Sequence, residues 1–298
     1  MRTIVKRSGT LPLAAIATIV GGAWSGVVSS TDAGVIYAVN TDNNLFSFDS
    51  SNPATPLSGT FISGLQPGES VQGIDFRPAT GALYAIGSTS RVYILNTSTG
   101  VATAVGSDFS PPLNGTAFGV DFNPVTDKIR LVSDTEQNAQ LNPVTGSTFA
   151  TNTPLAYAAG DSNFGVNPNI TGIAYSNNFN GAATTTLYGI DSNLDTLVTI
   201  NPADNGTLHT VGALGINVSN LLGFDIEIGG IAYASVQRTP SGVSELYTIN
   251  LNTGAATAVG TITGGTFVRD ISVVIPEPTS AGLLMLGGIA LLTRKRIG

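Results

Sequence analysis

The amino-acid sequence predicts an all-β protein, a β-propeller of about five four-stranded blades in which the N- and C-terminal strands close one blade. The chain of 298 residues contains 36 glycines and 15 prolines and has only 10% charged residues, which suits short strands joined by tight turns. Strand-like motifs recur with a period of about 45 residues, the repeat length of a propeller blade. The repeat also begins with its second strand at one end of the chain and finishes with a first strand at the other, as shown below.

Each repeat contains four short strands, as apolar alternation and turns rich in Gly, Asn and Pro indicate. The first-strand motif occurs as QGIDF from Gln72, FGVDF from Phe118, TGIAY from Thr171 and LGFDI from Leu222. The second-strand motif occurs as GVIYAV from Gly34, GALYAI from Gly81, TTLYGI from Thr185 and GIAYAS from Gly230. KIRLVS, from Lys128, takes the second place in one unit, with Arg130 near the position of the tyrosine. Strands such as RVYILN and ATAVG follow, separated by turns such as NTSTG from Asn96.

The two ends of the body complement each other. The body begins with a second-strand motif at Tyr37 and ends with a first-strand motif, VRDISVV, from Val268 to Val274. We therefore expect this last strand to complete the blade begun by Tyr37, which closes the ring and removes its free edges. The propeller is predicted to occupy residues 34–275, with an insertion around Ala156 to Asn169 in the third unit.

Residues 1–33 have the composition of a secretory signal peptide. Arg2, Lys6 and Arg7 precede an apolar stretch from Leu11 to Ala23, and small residues follow. Basic, apolar and small residues in that order are what the export machinery recognises. The sequence therefore predicts that the protein is exported.

Residues 276–298 combine three parts in a fixed order. A short motif, Pro276, Glu277 and Pro278, precedes an apolar run at 281–292, and a basic cluster follows at Arg294, Lys295 and Arg296. The apolar run is shorter than the roughly 20 residues of a comfortable bilayer span, and the basic cluster lies where a cytoplasmic flank is expected.

This C-terminal segment resembles a PEP-CTERM sorting signal. The resemblance implies a Gram-negative bacterium, export machinery and an exosortase-type protease as partners, and transient anchoring in the inner membrane through residues 281–292. It also implies release to the cell surface or the extracellular matrix.

The body resembles an uncharacterised bacterial family, domain of unknown function 4394. The stretches that carry the resemblance are GxDFxPxTG followed by LYAI, and FGVDFNPVTDKIRLVS, within roughly Tyr37 to Val274. The resemblance implies the fold and a secreted context, and it implies no activity.

Charge and cysteine content exclude several classes of function. Between Ala33 and Ile275 there are six basic and 17 acidic residues, a formal net charge of −11 (six minus 17). Such a body repels phosphate backbones, so a nucleic acid is not expected as a partner. The chain has no cysteine, which excludes disulfides and cysteine-based metal sites.

Candidate catalytic groups are few. The one histidine, His209, is expected on or beside an outer strand as a surface residue, and no Gly-x-Ser-x-Gly motif is present. Four carboxylates, in contrast, recur at what we interpret as one repeat position, with Ala174 in the fifth place: Asp75, Asp121, Asp225 and Asp270. We expect each to accept hydrogen bonds from the turn that follows it.

A calcium site is the alternative for these carboxylates, since Ca²⁺ prefers oxygen ligands. The polar loops NTDNN, from Asn40, and DSNLD, from Asp191, lack the spacing of an EF-hand, so calcium there is a weaker alternative. No other cofactor is expected.

The sequence thus predicts an exported, non-catalytic surface or matrix protein that binds polysaccharide or protein through propeller loops. A secreted carbohydrate-active enzyme, a glycosidase or lyase, is the alternative.

Overall fold

A computed structural model of the protein describes residues 34–237, 243–263 and 267–275. These residues form 21 strands and one 3₁₀ turn, Ala203–Asn205. In chain order the strands are β1 (Val35–Asn40), β2 (Asn44–Asp49), β3 (Asn52–Phe61), β4 (Val71–Phe76), β5 (Leu83–Gly87), β6 (Arg91–Leu95), β7 (Ala102–Val105), β8 (Phe118–Asn123), β9 (Lys128–Ser133), β10 (Asn138–Leu141), β11 (Thr148–Thr151), β12 (Ala156–Tyr157), β13 (Ile170–Tyr175), β14 (Leu187–Asp191), β15 (Thr196–Ile200), β16 (Thr207–Ala213), β17 (Leu222–Ile226), β18 (Ala232–Gln237), β19 (Ser244–Ile249), β20 (Ala256–Thr261) and β21 (Val268–Val273).

The strands form five sheets, which are the five blades of a β-propeller, and the four strands of each blade pair antiparallel. Blade 1 has the order β21-β1-β2-β3, blade 2 β4 to β7, blade 3 β8 to β11, blade 4 β13 to β16 and blade 5 β17 to β20. The first strand of each blade contacts the first strands of both neighbouring blades, so β4, β8, β13, β17 and β21 form a ring. The predicted all-β five-bladed propeller is confirmed.

The last strand closes the ring as the motif order predicts. β21 pairs antiparallel with β1, in a register that places Val273 opposite Ile36 and Ser272 opposite Tyr37. Each blade is therefore complete, and blade 1 is built from both ends of the body.

Burial decreases from the first strand of a blade to the fourth. All six residues of β4 and of β13 are buried, whereas β20 is almost wholly exposed or half-exposed. First strands lie between the first strands of both neighbouring blades, which explains why they are buried along most of their length. Their glycines allow close approach: a Cβ added to Gly119 would lie 2.9 Å from the backbone nitrogen of Ile173 in blade 4.

The turns between third and fourth strands follow from one local motif. The Oδ1 atom of Asn96 accepts hydrogen bonds from the backbone N–H groups of Ser98 and Thr99. Gly100 then takes a left-handed backbone with φ of 72°, which glycine adopts without steric cost. The equivalent residues Asn142 and Asn250 accept the same bonds. The repeated turns in the sequence are therefore structural.

The insertion of the third unit adds a strand to the next blade. Residues 156–157 form β12, which pairs parallel with β16 and adds a fifth strand to the outer edge of blade 4. Tyr157 anchors this strand, because its hydroxyl donates to the buried Asp191 carboxylate at 2.7 Å.

The predicted signal peptide and sorting signal, residues 1–33 and 276–298, lie outside the described residues. Among the residues that the structure describes, no helix has the length and apolar character needed to cross a membrane.

Candidate functional site

The predicted carboxylates occupy two different positions on the inner strands. Pairing registers place Asp75 opposite Tyr84, Asp225 opposite Tyr233 and Ser272 opposite Tyr37. Ser272, and not Asp270, is therefore the blade-1 counterpart of Asp75. The prediction that Asp270 shares the repeat position is wrong: it lies two residues earlier, where the other inner strands carry glycine. The aspartate of VRDISVV stands two residues before the ring position, so matching the Asp letters shifted the alignment by two residues.

We call the five equivalent residues the axial ring. They are Asp75, Asp121, Ala174, Asp225 and Ser272.

Members of the axial ring join each blade to the next. Four of the five accept a hydrogen bond from a backbone N–H of the following inner strand. The pairs are Asp75 with Phe122 (2.7 Å), Asp121 with Tyr175 (3.1 Å), Asp225 with Val273 (2.6 Å) and Ser272 with Phe76 (3.0 Å). The expectation that each Asp accepts from its own following turn is therefore wrong. An inner strand has one edge without a ladder partner, and these side chains satisfy its buried N–H groups.

Ala174 is the one member of the axial ring that has no acceptor. By the pattern of the other blades, Ala174 would accept a hydrogen bond from the backbone N–H of Ile226. That N–H instead donates to Oδ1 of the adjacent Asp225 at 2.6 Å. Asp225 therefore uses both of its oxygens for backbone N–H groups. Outside the ring, Asp270 does the same, accepting from Ile74 and Ile271 at 2.9 Å each.

The ring concentrates negative groups in a buried place. Asp75, Asp121 and Asp225 are each 1–2% exposed, and one carboxylate oxygen from each lies within 4.8 Å of the others. Burial, reinforced by the neighbouring carboxylates, raises the pKa of Asp75 and of Asp121 well above the ordinary value. Burial raises the pKa of Asp225 to about 6, against the backbone hydrogen bonds that lower it. A proton or a cation is therefore needed to offset charge here.

A second site, which the sequence did not predict, lies between blades 3 and 4. It is a cleft of about 370 Å³, lined by side chains from the ends of β8, β9, β10, β13 and β14 and by the loop that contains Asn201 and Asp204. We call it the Arg130 cleft. A volume of this size is at the lower end of the range for small-molecule sites.

Arg130 organises this cleft although it is almost fully buried. Its Nη2 donates to Asp204 Oδ1 at 2.6 Å, and its Nη1 donates to Asn138 and Asn152 at 2.9 and 3.0 Å. Its Nε donates to the Tyr175 hydroxyl at 3.3 Å. Gln140 Nε2 donates to the same Asp204 oxygen at 2.9 Å. The guanidinium thus holds a fixed array of polar groups, while the Asp204 side chain remains 64% exposed.

The repeat contains a signal for this cleft. Arg130 lies opposite Asp121 in the register, at the position where other blades carry tyrosine. The tyrosine position of blade 2, for comparison, packs Tyr84 edge-on against Phe122 with 5.1 Å between ring centroids. At Arg130 a charged side chain therefore replaces the aromatic ring that packs between blades at Tyr84. The partners of Arg130 could not be read from the sequence, because Asp204 is 74 residues away.

The remaining predicted candidates have structural surroundings. His209 is exposed on β16, as expected, with its Nε2 3.0 Å from the carbonyl oxygen of Asn201. Asn40 Oδ1 accepts from the N–H groups of Asp42 and Asn44, and Asp191 Oδ1 accepts from Asn193 and Leu194. These two loops are hydrogen-bonded turns. The sorting residues Pro276, Glu277, Pro278, Arg294, Lys295 and Arg296 lie outside the described residues.

Comparison with known proteins gives one family. The model of the family described as "Domain of unknown function (DUF4394)" matches residues 44–272. No curated protein matches the chain.

Several solved structures share a general likeness. A structural genomics protein of unknown function from Bacteroides thetaiotaomicron VPI-5482 is 15% identical with a TM-score of 0.49, over 83% of this chain and 68% of that one. A chain of a nidogen/laminin complex is 13% identical with a TM-score of 0.44, over 82% and 86%. Dihydro-heme d1 dehydrogenase NirN is 11% identical with a TM-score of 0.38, over 76% and 44%. With TM-scores below 0.5, these likenesses carry no information on function.

Proposed function

Because the chain belongs to the DUF4394 family, whose description assigns no activity, we propose its function from the site: it is an exported, non-catalytic protein that binds a neutral saccharide in the Arg130 cleft. The observation that carries the proposal is the fixed polar array around Arg130.

The chemistry of the cleft favours a sugar. Saccharides carry neighbouring hydroxyl groups that both donate and accept hydrogen bonds, and planar amide, guanidinium and carboxylate groups match them in pairs. The cleft offers Gln140, Asn201 and Asp204 as such groups. A few fixed polar groups on an otherwise preformed pocket are the usual pattern of a specific small-molecule site.

The charge of the protein favours a neutral sugar over an acidic one. The Arg130 guanidinium is already paired with Asp204, and Asp204 is the more exposed partner, at 64% against 3% for the arginine side chain. The surrounding body is strongly acidic. An anionic ligand would therefore meet a carboxylate at the rim and a repulsive field around it.

The carboxylates near the cleft favour binding over hydrolysis. Most glycosidases use a pair of carboxyl groups on either side of the scissile bond. Of the described side chains that line the cleft, Asp204 is the one carboxylate. The alternative, a glycosidase or lyase, would need a second acidic group from elsewhere.

Export and surface release complete the proposal. The signal peptide at 1–33 and the PEP-CTERM-like segment at 276–298 support passage across the inner membrane, cleavage by an exosortase-type protease, and release to the cell surface or matrix. Intact-mass analysis of protein recovered from the cell surface tests this part. A product that retains Met285 and the Arg294–Arg296 cluster would contradict processing.

A matched pair of variants tests binding in the cleft. The full chain is screened on a glycan array, and the best neutral oligosaccharide is titrated by calorimetry. We expect Asp204→Ala to weaken binding about tenfold or more, since a hydrogen bond to a charged group contributes about 1.5–3 kcal/mol.

Asp108→Ala is the control, because Asp108 is 65% exposed and also paired with an arginine, Arg91, but lies outside the cleft. Equal affinities for both variants would overturn the assignment of the site. Cleavage of a polysaccharide that Asp204→Ala abolishes would make the cleft catalytic instead.

A further inference from the structure

We propose that three members of the axial ring, Asp75, Asp121 and Asp225, bind one Ca²⁺ ion at the centre of the propeller. The three carboxylates come from blades 2, 3 and 5, and one oxygen from each lies within 4.8 Å of the other two. Two ligands on opposite sides of a Ca²⁺ ion with bonds of about 2.4 Å are about 4.8 Å apart. The proposal does not rest on saccharide binding in the Arg130 cleft, although Tyr175 contacts both sites.

An unpartnered atom provides the second line of evidence. Asp121 is 1% exposed, and its Oδ2 has no hydrogen-bond partner among the described residues. Its Oδ1 accepts from Tyr175, whereas both oxygens of Asp75 and of Asp225 accept hydrogen bonds. A buried carboxylate oxygen with no donor is costly unless a cation or a proton approaches it.

The nearest basic side chains along the strands do not serve this purpose. Among the five inner strands as the structure describes them, Arg269 is the one basic residue, and its Nη1 donates to Gln72 at 3.3 Å. It lies three residues before Ser272, about 10 Å along the strand. Arg130, opposite Asp121, directs its guanidinium to Asp204, Asn138 and Asn152. The three carboxylates therefore lack a protein counter-charge in hydrogen-bond contact.

The chemistry of the donors selects the ion. All are hard carboxylate oxygens, which suit Ca²⁺ and Mg²⁺ and not the softer metals. Each carboxylate accepts a backbone hydrogen bond from the next inner strand, and all three are buried. Mg²⁺ requires near-octahedral geometry and usually keeps several of its waters, whereas Ca²⁺ takes carboxylate ligands in a flexible geometry. A buried set of fixed carboxylates therefore points to Ca²⁺.

Two asparagine variants of the full chain test the proposal. After treatment with EDTA, wild type is titrated with CaCl₂ and with MgCl₂ by calorimetry, and bound metal is counted by elemental analysis. We expect one Ca²⁺ per chain, weaker binding of Mg²⁺, and a melting temperature that rises with Ca²⁺ concentration.

Asp121→Asn keeps an oxygen for Tyr175 and removes the free carboxylate oxygen. We expect it to weaken Ca²⁺ binding about 100-fold, since loss of an outer-shell partner alone typically weakens metal binding about 10- to 100-fold. Asp270→Asn is the matched control: it removes an equally buried negative group from an inner strand but not from the three ligands.

Three results would overturn the assignment. One is a wild-type protein that binds no Ca²⁺ and whose melting temperature is unchanged by it, which would mean that protons offset the charge. The second is unaltered Ca²⁺ affinity in Asp121→Asn. The third is an equal loss in Asp270→Asn, which would mean that the general negative potential holds the ion. Circular dichroism confirms in each case that the variant is folded.

Discussion

Ser272→Ala is the sharpest test of how the axial ring holds the blades together. The Ser272 hydroxyl is fully buried, accepts from the backbone N–H of Phe76 at 3.0 Å and donates to Asp75 Oδ1 at 2.7 Å. Alanine removes one oxygen atom and leaves both partners in place. The substitution is sterically acceptable, because alanine already occupies the equivalent position in blade 4, at Ala174.

The expected loss follows from the two groups that the substitution leaves behind. A buried N–H without an acceptor costs about 1–3 kcal/mol, and the lost bond to Asp75 adds about 1–2 kcal/mol. The free energy of unfolding should therefore fall by about 2–5 kcal/mol, a large share of the roughly 5–15 kcal/mol of a typical domain. Urea unfolding of the full chain measures this change as a shift of the midpoint at an unchanged slope.

Ser47→Ala is the matched control. Ser47 is also buried, but its hydroxyl bonds the Ser58 hydroxyl at 2.7 Å and serves no backbone N–H. We expect a loss of about 1 kcal/mol or less. If Ser272→Ala were no more destabilising than Ser47→Ala, the side chains of the axial ring would not be what joins neighbouring blades.

Three further predictions concern closure, packing and pH. A chain that ends at Gly264 lacks β21, so β1 loses one of its two ladder partners and β4 and β17 lose the inner strand that lies between them. It should lose cooperative thermal unfolding, and a melt like that of the full chain would contradict closure. Gly119→Ala should lower the free energy of unfolding by about 1–3 kcal/mol in urea, because its Cβ would press on Ile173 in blade 4, and an unchanged midpoint would contradict the close approach. Burial alone would raise the pKa of Glu69, but hydrogen bonds from Thr89, Tyr93 and Gln66 outweigh it and lower the pKa below 4.5. The ionised Glu69 side chain should therefore stabilise the fold above pH 4.5, and this stabilisation should be lost as the pH falls through the lowered pKa. The difference in free energy of unfolding between wild type and Glu69→Gln should shrink on acidification. A difference that is constant from pH 7 to pH 3 would contradict this.

The blades could be predicted from the sequence because each carries its own local instructions. The Asn96 to Gly100 turn, the tyrosine of four of the five second strands and the inner-strand glycines recur at one period. Closure also followed from the permuted motif order. The pairing of β12 with blade 4 could not be predicted, because the irregular sequence of the insertion does not indicate which blade edge it joins.

The sites were less predictable, because they depend on contacts between blades. Asp75, Asp121 and Asp225 were recognised as one set, but their acceptor role involves the backbone of the next inner strand, which a single repeat does not reveal. Asp270 was assigned to the wrong position because only the register with β1 distinguishes it from Ser272. Arg130 was visible as a departure from tyrosine, whereas its partner Asp204 comes from another blade.

The proposed function depends most on where a saccharide binds. The direct measurement is a crystal structure of the full chain with the neutral oligosaccharide selected by the glycan array. The account predicts that a sugar ring lies in the Arg130 cleft, with its hydroxyl groups in hydrogen-bond contact with Asp204 and Gln140. A sugar bound on any other surface, with the Arg130 cleft free of it, would contradict the account.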